Sequence, residues 1–117
     1  MSAMKVVNTH WFGGKGNLPP GTLYIGRPGR WGNKHSSKSG KITRQEAVDL
    51  HRKDLEEQLK DPKYEREMMR AMLGRNLGCW CKNPHKEIPC HGDNYREAVI
   101  QRQLAGWNEP PVFKATD

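Results

Sequence analysis

Thr22-Leu23-Tyr24-Ile25-Gly26-Arg27-Pro28-Gly29-Arg30-Trp31-Gly32-Asn33 begins as a strand and ends as a loop. Its first four residues are mostly β-branched or aromatic, a composition that suits a pleated, half-buried surface. The octapeptide that follows carries three glycines, which let a backbone turn sharply and expose its N–H groups at close range. Arg27 and Arg30 offer planar forks that match phosphate oxygens. Trp31 offers a flat face for stacking on a base or a guanidinium, and Asn33 can read a base edge or fix the loop. Gly26, Arg27, Pro28, Arg30, Trp31, Gly32 and Asn33 are therefore the candidate ligand-binding residues. The competing reading is a structural loop in which the arginines are solvated and Trp31 plugs the core. Large aromatics are mostly buried, which favours the core for Trp31. The segment is not a Walker loop, since no Gly-Lys-Ser/Thr ends it, and its glycine spacing is not that of dinucleotide-binding turns.

Upstream, Met4–Val7 reads as a first strand, and Trp11 to Gly21 as a loop broken by Gly13-Gly14, Gly16-Asn17 and Pro19-Pro20-Gly21. That loop, with Gly13, Gly14, Lys15 and Gly16, offers a second wall for the same pocket. Downstream, Thr43 and Glu46 have capping-box spacing and open a first helix. Ala47, Val48, His51, Leu55 and Leu59 follow at helical steps. Asp61-Pro62 starts a second helix, with Tyr64, Met68, Ala71 and Met72 on one face and Gly74 as its C-terminal stop. Leu77–Cys81 reads as a third strand and Lys82–Pro89 as a loop. Asp93 or Asn94 is expected to cap a last helix, with Tyr95, Ala98, Val99 and Arg102 on one stripe and Gly106 closing it. His51 reads as a satisfied core histidine, and Met68, Met69 and Met72 as core rather than a cofactor box.

The order β, β, α, α, β, α predicts a small α/β or α+β fold. Three short strands form a sheet covered by about three helices, with long Gly/Pro-rich loops. Residues 1–107 form a single expected domain, with 108–117 a flexible tail carrying Pro110-Pro111.

Charge is unevenly spread. The chain carries +7 overall, yet residues 1–45 hold eight basic groups and no acid. Residues 46–117 hold the other twelve basic groups and all thirteen acids. A one-sided field of this kind attracts polyanions. Only 34% of residues are hydrophobic and mean hydropathy is −0.95, so the core is lean. No apolar run is long enough to span a membrane, and the first seven residues lack the apolar stretch of a secretory signal. Three cysteines rule out a fully paired disulfide framework. Reduced thiols and a cytoplasmic setting are the expectation, with metal binding or reactivity as the live questions.

Those cysteines form a second constellation, Cys79-Trp80-Cys81 and Cys90-His91-Gly92-Asp93. A thiol at a helix start sees the positive end of the helix dipole, which favours the thiolate. Asp93 caps the helix or orients His91. Three readings compete. In one, Cys79, Cys81, Cys90 and His91 bind zinc, with His85 as a substitute ligand. One residue between cysteines is not the usual knuckle spacing, and neighbouring Cys90 and His91 are awkward on one ion. In another, Cys90, His91 and Asp93 form a catalytic or ligand-binding site. In the last, the cysteines are small apolar fillers. Ligands in open α/β sheets sit beyond the carboxyl ends of the strands. If the second and third strands are parallel neighbours, the arginine loop and the thiol–imidazole turn converge there, and the last helix adds a phosphate site at its start.

At these motifs the chain resembles a small-domain family of unknown function from phage and bacterial genomes. Its members carry Tyr-Ile-Gly-Arg-Pro-x-x-Trp-Gly-Asn, a helix opening near Arg-x-Glu-Ala-Val, Leu-x-Cys-Trp-Cys and Pro-Cys-His-Gly-Asp. Here these are Tyr24–Asn33, Arg44–Val48, Leu77–Cys81 and Pro89–Asp93, within residues 22–106. The resemblance implies a phage or bacterial origin, hence a host cytoplasm for a phage protein, and a common site built from these stretches. It supplies no activity. Lys34-His35 stands where the family tends to have Pro-Phe. The longer loop Lys82–Ile88 argues against a tight four-ligand metal cage.

Three functions follow as expectations. The first is binding of a nucleotide or nucleotide derivative, with or without catalysis on it. The second is binding of phage or host nucleic acid. The third is a zinc-stabilised adaptor for a host protein. The residue pattern names no particular reaction, and no membrane partner is expected.

Overall fold

The computed structural model describes residues 4–26, 29–35, 40–79 and 90–107. Arg27, Pro28, Trp80, Cys81, residues 82–89 and the tail after residue 107 lie outside the described residues.

Three short strands build one parallel sheet: β1 (Val6–Asn8), β2 (Thr22–Tyr24) and β3 (Asn76–Cys79). Their order is β1-β3-β2, so β3 is central and parallel to both neighbours. Leu77 stands opposite Val6 on one side and Leu23 on the other. Residue parity then puts Val6, Leu23, Leu77 and Cys79 on one face of the sheet and Gly78 on the other. Because every pairing is parallel, the fold is α/β, the first of the two expected classes.

Parallel neighbours need crossovers. The crossover from β2 to β3 is a helix pair, α1 (Arg44–Gln58) and α2 (Pro62–Met72). The reciprocal capping box forms: Glu46 N–H donates to Thr43 Oγ1 at 3.1 Å, and Thr43 N–H to Glu46 Oε1 at 3.0 Å. Asp61 caps α2 by accepting from Lys63 N at 3.0 Å, with Pro62 at the first helical position where no N–H is needed. Gly74 follows α2 with φ 81°, the left-handed stop its position suggests. The last helix, α3 (His91–Leu104), follows β3 and packs on β1, β3 and α1.

The helices cover the sheet face of Leu77 and Cys79. Met68, Met69, Met72, Leu55, Tyr95 and Val99 join Ile25, Leu77, Cys79 and Cys90 in one core. His51 is buried on the apolar stripe of α1, as its spacing suggests. The crossover from β1 to β2 carries two short 3₁₀ turns, Thr9–Phe12 and Lys15–Asn17, where the sequence suggested a plain loop. It lies on the opposite face of the sheet. A side chain at Gly78 would meet Leu18 and the Thr9 hydroxyl within 3.0–3.3 Å. Hence this segment backs the sheet from behind instead of walling the helix side. No helix among the described residues is long and apolar enough to cross a membrane.

Candidate functional site

The carboxyl end of β2 runs through Ile25 into Gly26, and the carboxyl end of β3 is Cys79. Since β2 and β3 are parallel neighbours, both ends lie at the same edge of the sheet. The start of α3 sits over that edge. A Cβ on Gly92 would come within 2.9 Å of both the Ile25 and the Val6 side chains, so only glycine lets the helix approach this closely.

The first turn of α3 is built around Cys90, not Asp93 or Asn94. Cys90 is the extended residue before the helix, and its Sγ accepts the Gly92 N–H at 3.4 Å. Its carbonyl accepts from Asp93 N at 3.0 Å. Asp93 therefore lies inside the first turn, where a carboxylate complements the helix dipole. Cysteine is not a favoured cap residue, so the sequence pattern points instead to Asp93 or Asn94.

Cys90 Sγ lies 2.8 Å from Cys79 Sγ, and both residues are fully buried. Two thiolates on a tetrahedral zinc, each about 2.3 Å from the metal, stand roughly 3.8 Å apart. The pair is thus tighter than a zinc site holds it. Among the described residues, no group of three or more His, Cys, Asp or Glu side chains has metal-holding geometry. Cys81, the remaining member of the expected set, lies outside the described residues.

His91 joins this thiol pair to the arginine turn. Its Nε2 donates to the Ile25 carbonyl at 2.7 Å. A carbonyl can only accept, so Nε2 carries a proton, and the other ring nitrogen, Nδ1, faces Cys90 Sγ at 4.0 Å. A thiol, an imidazole and a group orienting the imidazole are the parts of an activated nucleophile.

A polar chain continues behind His91. The His51 ring packs edge-on against His91 at 5.1 Å and against Tyr95 at 4.8 Å. Asn94 Nδ2 donates to the Val48 carbonyl and to His51 Nδ1, each at 3.0 Å. Arg52 Nε donates to Asn94 Oδ1 at 3.2 Å, and Arg52 also pairs with Glu97 at 3.3 Å. Burial, helped by the adjacent His91, pushes the His51 imidazole down to about 4. A surface groove between α1 and α3, lined by Arg52, Leu55, Asn94 and Ala98, opens onto the outer end of this chain. Asn94 and Tyr95 belong to this cluster although the sequence motifs do not single them out as site residues. They stand three and four residues after His91, on the same helix face, and that spacing was the available signal.

The arginine turn is bound inward more than its composition suggests. Gly29 N donates to Gly26 O at 3.1 Å and Gly32 N to Gly29 O at 3.0 Å, giving two successive turns. Trp31 is buried edge-on between Tyr64 and Tyr95, with centroids 5.9 and 5.8 Å away. Burial raises the pKa of both tyrosines. Asn33 is buried too. Its Nδ2 donates to Ala47 O at 3.0 Å and its Oδ1 accepts from His35 N at 2.9 Å. Trp31 and Asn33 are thus occupied in holding the loop against the helices, which leaves neither face nor edge for a base. Arg30 is exposed. It pairs with Glu67 on α2, and its guanidinium lies 4.9 Å from the Trp31 ring centre. His35 Nε2 meets Asp54 Oδ2 at 2.7 Å, with Lys34 at 3.6 Å, and the His35 hydrogen bond holds the Asp54 carboxyl below its ordinary value.

The structure therefore brings Ile25–Gly26, Cys79, Cys90 and His91 to one sheet edge. It turns Trp31 and Asn33 into anchors and leaves Arg30 at the surface. No curated protein and no solved structure matches the chain. A family described as a domain of unknown function, DUF4326, matches residues 12–105, a span that takes in the arginine turn, the thiol pair and all three helices. The chain belongs to this family.

Proposed function

We propose that this protein binds a phosphate-bearing ligand, a nucleotide or nucleotide derivative, at the carboxyl edge of its parallel sheet. The observation that carries this reading is the 2.7 Å hydrogen bond from His91 to the Ile25 carbonyl. It ties the start of α3 directly to the arginine turn, at the edge where open α/β sheets take their ligands. The Gly92 and Asp93 N–H groups are already taken by Cys90, so the helix contributes chiefly its dipole. Direct contacts to phosphate then fall to Arg27, Arg30 and the backbone of the turn. Cys90 and His91 stand at the reactive end.

Thermal unfolding across a panel of mono-, di- and triphosphates, dinucleotides and cyclic nucleotides tests the reading. A ligand at a hundred times its Kd adds about 2.7 kcal/mol of stability. The stabilisation should vanish in Arg27→Ala while the unliganded melt stays put. No shift with any member of the panel would overturn the reading. A ligand that binds only as an oligonucleotide, with affinity falling steeply with salt, would replace it with nucleic-acid binding, the role suggested by the acid-free first 45 residues.

A further inference from the structure

We propose that Cys79 and Cys90 are a redox couple that reduces a small peroxide, with Cys90 attacking and Cys79 resolving. The inference is independent of the phosphate-bearing ligand. Buried cysteines are ordinarily inert fillers. Three features set this pair apart. The sulfurs approach to 2.8 Å, closer than van der Waals contact and within about 1 Å of a disulfide bond. Cys90 sits at the positive end of a fourteen-residue helix and accepts the Gly92 N–H at 3.4 Å, both of which stabilise negative charge on its sulfur. His91 places its Nδ1 4.0 Å from that sulfur, with the ring oriented by the Ile25 carbonyl, and Nδ1 is the atom that serves as base. Cys90 holds the cap position of a helix whereas Cys79 ends a strand, so the roles are unequal.

The chemistry balances with a hydroperoxide as the oxidant. Cys90 gives its proton to His91 Nδ1, and the thiolate attacks the terminal peroxide oxygen. The O–O bond breaks, the alcohol (water, for hydrogen peroxide) leaves with that proton, and Cys90 becomes a sulfenic acid. The Cys79 sulfur then attacks the Cys90 sulfur. The S–O bond breaks, the hydroxyl departs with the Cys79 proton as water, and the disulfide forms. Two thiols lose two electrons and the peroxide gains them. Full burial of both sulfurs restricts the oxidant to a small molecule.

Intact mass and peptide mapping of the reduced full chain after hydrogen peroxide, quenched with a maleimide, decide the matter. The expected product carries one maleimide, on Cys81, where the unreacted chain carries three, with Cys79 joined to Cys90. Cys81→Ser, which leaves both partners in place, should give the same disulfide. Cys79→Ala should instead gain about 16 Da at Cys90, trapped by dimedone, and Cys90→Ala should form neither product. Thermal melts confirm that each variant is folded. A native chain left unmodified by peroxide that oxidises the urea-unfolded chain would overturn the proposal. So would a disulfide that maps to Cys81, or an equivalent of zinc on the purified protein that blocks the reaction.

Discussion

His51 is a titratable group held neutral by its surroundings. The Asn94 amide can only donate toward it, because the same nitrogen also serves the Val48 carbonyl. Nδ1 is therefore an acceptor, and protonating it would break that bond inside a buried site. Burial and His91 together lower its pKa from 6.5 to about 4. The native state thus binds fewer protons than the unfolded chain between those values. The contribution is present in full above pH 6.5 and is lost as pH falls toward 4. Integrated over that window it amounts to about 3 kcal/mol. Urea unfolding at successive pH values should show this decline in the native sequence and a much flatter profile in His51→Gln. Equal slopes in the two proteins would mean that other groups drive the acid instability. The burial of His51 was legible from its place on an apolar stripe. Its partners were not, since Asn94 lies 43 residues away and nothing local links them.

At the scale of elements, legibility followed the range of the interactions. α1 and α2 were readable because their stop and start devices, Thr43 with Glu46 and Asp61 with Pro62, act within a few residues. The core methionines were readable from helical spacing. The start of α3 was not, because a sulfur replaces the usual oxygen cap. The strand order was not either: β1 and β2 both pair with a strand more than fifty residues further along, and a short apolar run carries no record of its neighbours. Gly92 is where these elements meet most closely. Alanine there would favour the helix by up to about 1 kcal/mol. Its methyl, however, would press on the Ile25 and Val6 side chains at 2.9 Å. The Ile25 contact is a terminal methyl that can swing aside, while the valine methyl is fixed by branching at Cβ. Overpacking of this kind costs about 1–3 kcal/mol, so Gly92→Ala should be net destabilising by roughly 1 kcal/mol, read as a lower melting temperature. An unchanged or raised melting temperature would show that α3 has slack over the sheet edge.

Taken as a whole, the molecule partly neutralises its own charge asymmetry. The acid-free first 45 residues dock on helices that supply acids: Arg30 meets Glu67, while Lys34 and His35 meet Asp54. A phosphate at the arginine turn must compete with Glu67 for Arg30. Glu67→Gln removes that competitor and raises the net charge from +7 to +8, while Trp31 and Asn33 still hold the loop in place. Arg30 is 59% exposed, so the pair is worth at most about 1 kcal/mol, or about fivefold in affinity. Calorimetric titration of a nucleoside triphosphate should therefore show Glu67→Gln binding up to fivefold tighter and Arg30→Ala more weakly, with both differences shrinking as salt is raised. If both variants bind as the native chain does, Arg30 is only a strut between the turn and α2. In that case the direct phosphate contact rests on Arg27 and the turn backbone, and Arg27→Ala alone should abolish it.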